Sequence, residues 1–199
     1  MKHSTIDNQA LRLLLTAIAC MALCHCSSTG PLAGVNSANS SCSQIAAEAQ
    51  AALKDLYDTH PQARRLGARA EAILVFPDIF KAGFVFGGMG GNGALIRRDG
   101  SINAFYQTGG LSYGLQAGAE HYGYALFFMD EAALHNLART DGWEIGSSPS
   151  LVIVDQGMAA SFSSLTLKRG IYAMFFNQHG LMGGLGVQGS KITRIHPRG

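Results

Sequence analysis

Charged side chains are scarce in this 199-residue chain: lysine, arginine, aspartate and glutamate together make up 14%, and the formal net charge is +2. A protein that binds nucleic acid needs a broad basic face to neutralise many phosphates. The scarcity of cations therefore argues against nucleic acid as a partner. At this length the chain has room for one domain with a sizeable core.

Cysteine is scarce as well, since only Cys42 of the 4 cysteines lies near the region expected to fold. The 7 histidines are scattered, and no pair has the spacing of a helical metal site. The carboxylates are isolated along the chain, so no acid–base pair can be named. The sequence thus predicts no metal, no cofactor and no thiol catalysis, and we expect a protein that is not an enzyme.

Proline is rare, with 5 residues, whereas glycine is abundant, with 25, and 47% of the residues are hydrophobic. This composition is neither that of a flexible linker nor that of collagen. The glycines cluster in two apolar stretches, 83–93 and 180–189. Because glycine costs conformational entropy inside a strand, its repeated use predicts bulges, sharp bends or close approach of backbones.

Residues 1–26 are typical of a secretory signal, with basic residues before the apolar run 13–23, which is too short to span a bilayer comfortably. A Ser/Gly-rich spacer follows Cys26, as in bacterial lipoproteins, so we expect lipidation there and export to the bacterial cell envelope, on a membrane facing the periplasm or the cell surface. Cys20 is an alternative acceptor, because a small residue precedes it whereas His25 precedes Cys26. Cleavage without lipidation is the third interpretation.

Residues 27–41 are small and polar and predict a flexible tether, which places the folded domain at 42–199. Ser41 followed by Gln44 matches a helix capping box, and apolar residues at helical spacing continue to about Thr59. Pro61 interrupts this amphipathic helix. A second helical segment follows, with a basic cluster formed by Arg64, Arg65 and Arg69.

Beyond residue 73 the chain consists largely of short apolar runs bounded by glycine, and Asp99-Gly100 between two of them is a hairpin signal. Asp130 is placed to cap one further helix. The predicted fold is α+β: a single domain with a strongly curved, mostly antiparallel, glycine-rich sheet or partial barrel packed with a few helices. The strands are expected near 73–76, 84–86, 94–96, 102–106, 151–154, 162–167, 171–176, 185–188 and 192–195.

Two short strings imitate known sites. Gly88–Gly93 satisfies the G-x-G-x-x-G string of dinucleotide sites, but a hairpin follows where a phosphate-binding helix is required, so we expect a glycine bend between strands. Gly110–Gly114 matches the nucleophile elbow around Ser112, with Asp155 and His179 following in hydrolase order. Strand-like residues follow this string instead of a helix. A small serine hydrolase is therefore the least favoured function.

Between about Ala46 and Ile195 the chain resembles the SYLF domain, a family of lipid-binding domains found in bacterial envelope proteins and eukaryotic endocytic proteins. The segments that carry the resemblance are Ala72-Ile-Leu-Val-Phe-Pro-Asp-Ile-Phe-Lys-Ala-Gly-Phe-Val-Phe-Gly-Gly88, Gly114-Leu-Gln-Ala-Gly-Ala119 and Gly180-Leu-Met-Gly-Gly-Leu-Gly-Val-Gln-Gly-Ser190.

The resemblance implies a non-enzymatic domain that binds phospholipid through a basic amphipathic N-terminal helix and the glycine-rich domain. Some eukaryotic members of the family also bind actin. Ile102 stands where the family usually has tryptophan, and 177–179 lack its usual basic residues, so we expect a simple anionic phospholipid as the partner. The implied lipid contacts are Leu53, Leu56, Tyr57, Arg64, Arg65, Arg69 and Lys81.

The apolar stripe of the first helix has a second interpretation, in which it packs against the sheet as core. The protein as a whole also has an alternative function, as a structural or adhesion protein of the envelope. In that case its glycine-rich strands would face a protein partner.

Overall fold

Three long strands organise the structure, a computed structural model that describes residues 40–139, 143–144, 151–153 and 170–198. They are β1 (Ala72–Arg97), β2 (Ile102–Phe128) and β5 (Ile171–Ile195), and the short strands β3 (Trp143–Glu144) and β4 (Leu151–Ile153) join them. The short strands predicted between glycines are thus parts of longer ones. Glycine does not end these strands because the ladder needs only backbone N–H and C=O groups.

Several predicted features lie outside the described residues. They are the signal at 1–26 with Cys20 and Cys26, the tether up to residue 39, Asp155, and the strand at 162–167. All described residues belong to one compact unit, Leu32–Gly199.

The sheet has the strand order β1-β2-β5-β3, with all of these neighbours antiparallel, and β4 pairs parallel with β5. It is open, and with its helices it forms a single α+β domain. The predicted fold class is therefore confirmed. The long β1–β2 ladder runs from Ala72 opposite Phe128 to Ile96 opposite Ile102, with three register shifts on the way.

The turn between β1 and β2 confirms the hairpin predicted at Asp99-Gly100. The Gly100 N–H donates to the Arg97 carbonyl at 2.9 Å, and Gly100 has a φ of +82°. The Asp99 carboxylate accepts from the Ser101 N–H at 2.9 Å. Four residues separate the strands, so the turn is wider than the two-residue form that the dipeptide suggests.

The helices begin where the sequence predicted. Helix α1 (Cys42–Thr59) is capped by the Ser41 Oγ, which accepts from the Gln44 N–H at 3.2 Å. Helix α2 (Pro61–Gly67) has proline in its first turn, where the missing N–H costs nothing. Helix α3 (Glu131–Arg139) follows Asp130, whose carboxylate accepts from the Ala133 N–H at 2.9 Å.

Apolar side chains are buried on both faces of the sheet near the strand ends that carry the helices. On one face α1 and α2 cover odd-numbered positions of β1 such as Ile73 and Val75. On the other face even-numbered positions such as Leu74 and Phe76 pack with α3 and with the returning part of the same strand. Burial on both faces explains why these strand ends are almost purely apolar.

The second face is buried because β1 bends back over itself. The backbones of Gly91 and Gly93 lie against the carbonyl oxygens of Asp78 and Val75. A Cβ at Gly93 would also lie 2.7 Å from the Phe76 Cδ1. Glycine is therefore required at this crossing by close approach of two backbone segments.

We predict that Gly93→Ala lowers the free energy of unfolding by roughly 1–3 kcal/mol, because the added methyl cannot move away from a backbone carbonyl. Urea unfolding followed by circular dichroism measures this loss. The matched control is Gly109→Ala in β2, where the nearest atom to a Cβ is the Met89 carbonyl oxygen at 4.0 Å. The control should leave stability unchanged or slightly raised, and equal losses for both variants would contradict the crossing.

Candidate functional site

The apolar stripe of α1, predicted to contact lipid, is part of the core. Leu53 is 8% exposed and Leu56 is 1% exposed, and both pack in the cluster between α1, α2 and the sheet. Tyr57 is half-buried at the edge of this cluster, with its hydroxyl over Gly67. The packing interpretation of the stripe fits this burial, whereas insertion of the two leucines into a membrane does not.

The predicted basic cluster is exposed, but acidic groups lie beside it. The Arg64 guanidinium donates to the Tyr57 carbonyl at 3.2 Å and to the Asp58 carboxylate at 3.1 Å. Lys54 pairs with the same carboxylate at 2.6 Å, and this hydrogen bond holds the pKa of Asp58 below its usual value. Arg65 and Arg69 are also exposed. The positive charge of this region is thus partly balanced.

Lys81, the last of the predicted lipid contacts, lies in β1 and not with the arginines of α2. Its Nζ forms an ion pair with the Glu120 carboxylate at 3.3 Å, and the two residues face each other across the β1–β2 ladder. Lys81 therefore lies on a different element from the arginines, and Leu53 and Leu56 are buried beneath the surface.

We predict that Leu56→Ala lowers the free energy of unfolding by about 2–5 kcal/mol, because it leaves a cavity under α1. The change is measured by chemical denaturation. Ala51→Ser, at an exposed position of the same helix, serves as the control and should change stability by no more than about 0.5 kcal/mol. If Leu56→Ala were as mild as the control, the stripe would not be core.

A different part of the sheet exposes large apolar side chains together. Six of these residues have side chains that are 61% to 86% exposed, and together we call them the apolar surface. They are Phe84, Phe86, Leu111, Tyr113, Leu115 and Leu181. Strand pairing makes them neighbours: Phe86 is opposite Tyr113, with ring centroids 4.8 Å apart, and Phe84 is opposite Ala117. None of the six belongs to either core cluster. Contiguous exposed apolar area of this kind marks an interaction site.

The alternation of β2 is inverted at the apolar surface. Leu111, Tyr113 and Leu115 face outward, whereas Ser112 and Gln116 are buried on the opposite face. The Gln116 Nε2 donates to the Ser112 Oγ at 2.7 Å, so the inner polar pair satisfies itself. A water-facing strand normally shows the reverse arrangement. This segment therefore has the arrangement expected of a strand whose outer side contacts an apolar environment.

A row of polar side chains, which we call the polar row, crosses the three strands next to the apolar surface. The Asp78 carboxylate lies 3.0 Å from the His121 Nδ1, and the His121 ring stacks on His179 with centroids 5.2 Å apart. The Lys81–Glu120 ion pair, on the next rung of the β1–β2 ladder and directed to the opposite face of the sheet, completes the row. It separates the apolar surface from the buried strand ends.

Val85, between Phe84 and Phe86, has a φ of +63°. For a β-branched residue this is a strained conformation. It coincides with a register shift, because Phe84 pairs with Ala117 and Phe86 with Tyr113. The strain is located where two aromatic rings project from the apolar surface, and such strain is typical of functional sites.

We predict that Val85→Gly raises the free energy of unfolding by about 1 kcal/mol, because glycine adopts positive φ without strain. Thermal unfolding measures the gain. Val85→Ala retains the strain and should give no gain, which makes it the matched control. A gain of equal size in both variants would mean that the backbone at Val85 is not strained.

The strings that imitate enzyme sites do not form those sites. Gly110–Gly114 lies inside the continuous strand β2, and Ser112 is buried there, so the strand–turn–helix of a nucleophile elbow is not formed. Gly88–Gly93 lies inside the continuous strand β1, not between two strands as predicted, and it leads into the hairpin. In the described part of the chain, histidine, cysteine and carboxylate side chains form no cluster of three that could hold a metal.

Burial distinguishes the tyrosines near the polar row. Burial, with a smaller contribution from the Glu120 carboxylate, raises the pKa of Tyr122 to about 12. Its hydroxyl stays protonated at neutral pH and donates to the Met89 Sδ at 3.6 Å. Tyr122 therefore supports the fold from inside, whereas Tyr113 is available on the outside.

Among the described residues no helix has the length and apolar character to cross a bilayer.

Residues 109–196 match the model of a protein family described as Ysc84, Las17-binding protein actin regulator, which is the SYLF family. The SYLF resemblance is confirmed for these residues. This SYLF segment contains most of β2 and all of β5, and with them four members of the apolar surface. The lipid contacts predicted from Leu53 to Lys81 lie outside it.

A curated relative covers more of the chain. The SH3 domain-containing protein PJ696.02 of Schizosaccharomyces pombe (strain 972) is 30% identical over 126 residues, which cover 60% of this chain and 29% of the relative. The chain thus spans less than a third of the relative's length.

Sequence reasoning missed the apolar surface, although the sequence contains a signal for it. From Leu111 to Gln116 large apolar residues alternate with small or polar ones, and no charged residue occurs between 102 and 119. Alternation alone does not tell which set faces water. The absence of charged residues was the stronger signal, because strands that face water normally contain charged side chains.

Proposed function

We propose that this protein is a non-enzymatic, membrane-binding protein that contacts phospholipid through its glycine-rich sheet. The observation that carries the proposal is the apolar surface, six large side chains exposed side by side on three paired strands. The SYLF match supports it, since it ties these strands to a family of binding domains.

The apolar surface is large enough to contribute substantially to membrane attachment. Complete burial of a leucine or phenylalanine side chain contributes about 1.5–3 kcal/mol. Six such side chains, already 61–86% exposed, together offer on the order of 10 kcal/mol. This is comparable with the cost of lost translational and rotational freedom on binding, about 4–15 kcal/mol. A second attachment would add avidity.

We further propose that this second attachment is a lipid anchor at Cys26 and that the protein resides in the bacterial cell envelope. A single acyl chain binds a membrane only marginally, so an anchor and a sheet surface would complement each other. The description of the matching family names Las17 and actin regulation. A protein partner on the same strands is the alternative that the following experiment tests.

We predict that the full chain floats with phospholipid vesicles and that the double variant Phe86→Ser, Tyr113→Ser binds at least about tenfold more weakly, since two apolar side chains no longer leave water. Both residues are exposed, so the fold should remain intact, which circular dichroism checks. The control Arg64→Glu, Arg65→Glu changes charge without touching the apolar surface. Absence of binding by the wild-type chain to any vesicle would contradict the proposed function and favour a protein partner.

A further inference from the structure

We infer that the apolar surface recognises the acyl-chain region of loosely packed membranes and does not select anionic head groups. This inference rests on the proposed function and concerns the same surface. The sequence predicted an anionic phospholipid as the partner. We infer instead that the surface recognises gaps between head groups, into which large apolar side chains can insert.

The first argument is the absence of charge over the whole surface. Lysine, arginine, aspartate and glutamate are missing from residues 82–96, 102–119 and 170–190. Strand pairing brings these three segments side by side. A surface that selected anionic lipid would place cations among or directly beside its apolar groups. Here Phe84, Leu111 and Leu181 have glycine or alanine as their ladder partners.

The second argument is that the charges at the border of the surface balance. Lys81 is neutralised by Glu120 at 3.3 Å, and both side chains are largely withdrawn, at 20% and 30% exposure. On the opposite border Lys191 lies opposite Gly109 in the β2–β5 ladder. Glu144 lies opposite Lys191 in the β3–β5 ladder, so a negative charge on the neighbouring strand matches this second cation. Each lysine at the border thus has a glutamate opposite it on the neighbouring strand, so the border has no excess of lysines over glutamates that would favour an anionic membrane.

The third argument is the shape of the side chains that project. Phe84, Phe86 and Tyr113 are aromatic residues that stand on a bent backbone next to small residues. Bulky side chains on a surface with few cations bind by apolar insertion, and such binding depends on curvature and lipid composition. The polar row limits insertion, since burying the Lys81–Glu120 and Asp78–His121 pairs in hydrocarbon is costly.

The experiment uses the full chain and places a tryptophan in the apolar surface. Its fluorescence reports insertion of that surface, separately from any membrane contact made by the N-terminal segment. Trp143 is the chain's one tryptophan and is replaced in the variant Trp143→Phe. In this background Phe86→Trp reports on the apolar surface. Arg65→Trp, at an exposed position of α2, is the matched control and also reports on the basic site predicted from the sequence.

Three vesicle preparations are compared: small sonicated vesicles of dioleoyl phosphatidylcholine, large vesicles of phosphatidylcholine with cholesterol, and the same large vesicles with phosphatidylserine. We expect Phe86→Trp to shift its emission to the blue and to be quenched by acyl-brominated phosphatidylcholine in the small vesicles. Binding there should be roughly tenfold stronger than to either large preparation. Raising NaCl from about 0.1 M to about 1 M, which shortens the Debye length from ~10 Å to ~3 Å, should not weaken it.

Each other outcome overturns the inference in a different way. Insertion that requires phosphatidylserine and disappears at high salt would assign the surface to anionic lipid and leave the proposed function standing. Quenching at Arg65→Trp alone would move the contact to α2. A dimer in sedimentation velocity that Phe86→Ser dissociates would assign the surface to a second copy of this chain. Absence of vesicle binding in every preparation would remove the proposed function as well.

Discussion

The close approach of two backbone segments within β1 is the constraint on which the rest of the structure depends. Gly91 and Gly93 have no side chain, so the returning half of the strand can lie against Val75 and Asp78. This crossing closes the second core around Phe76. Without it much of this face would remain open, because α1 and α2 cover the other face and α3 contributes the buried leucines Leu134 and Leu137 here.

The same bend divides the sheet into two halves with opposite relations to water. Near the helices both faces are buried. Beyond the polar row the bent strands carry their large apolar side chains outward and enclose Ser112 and Gln116. A strand that exposes leucine and phenylalanine while burying serine and glutamine gains nothing from water on its outer side. Contact with an apolar environment would give this arrangement its physical reason, which is why we propose that the function resides in this half.

For helix α1 the structural prediction was correct, but it did not decide whether the apolar stripe contacts lipid or the core. Ser41 caps the helix and its apolar stripe lies on one face, as the spacing predicted. An amphipathic stripe is equally compatible with a membrane and with a sheet. Leu53 and Leu56 are in the core because α1, together with α2, covers the first face of the sheet. That choice depends on residues far away in the sequence.

The sequence by itself determined the helix starts, the Asp99-Gly100 hairpin, the glycine-rich α+β class and the SYLF resemblance, because each depends on local chemistry or on a segment read in order. It did not determine the strand lengths, since glycine in a ladder looks the same as glycine in a turn. Nor did it determine which side chains of β2 face outward. Tertiary structure alone decided that Tyr113 is exposed and Ser112 buried, because a two-residue period is symmetric until a second layer covers one face.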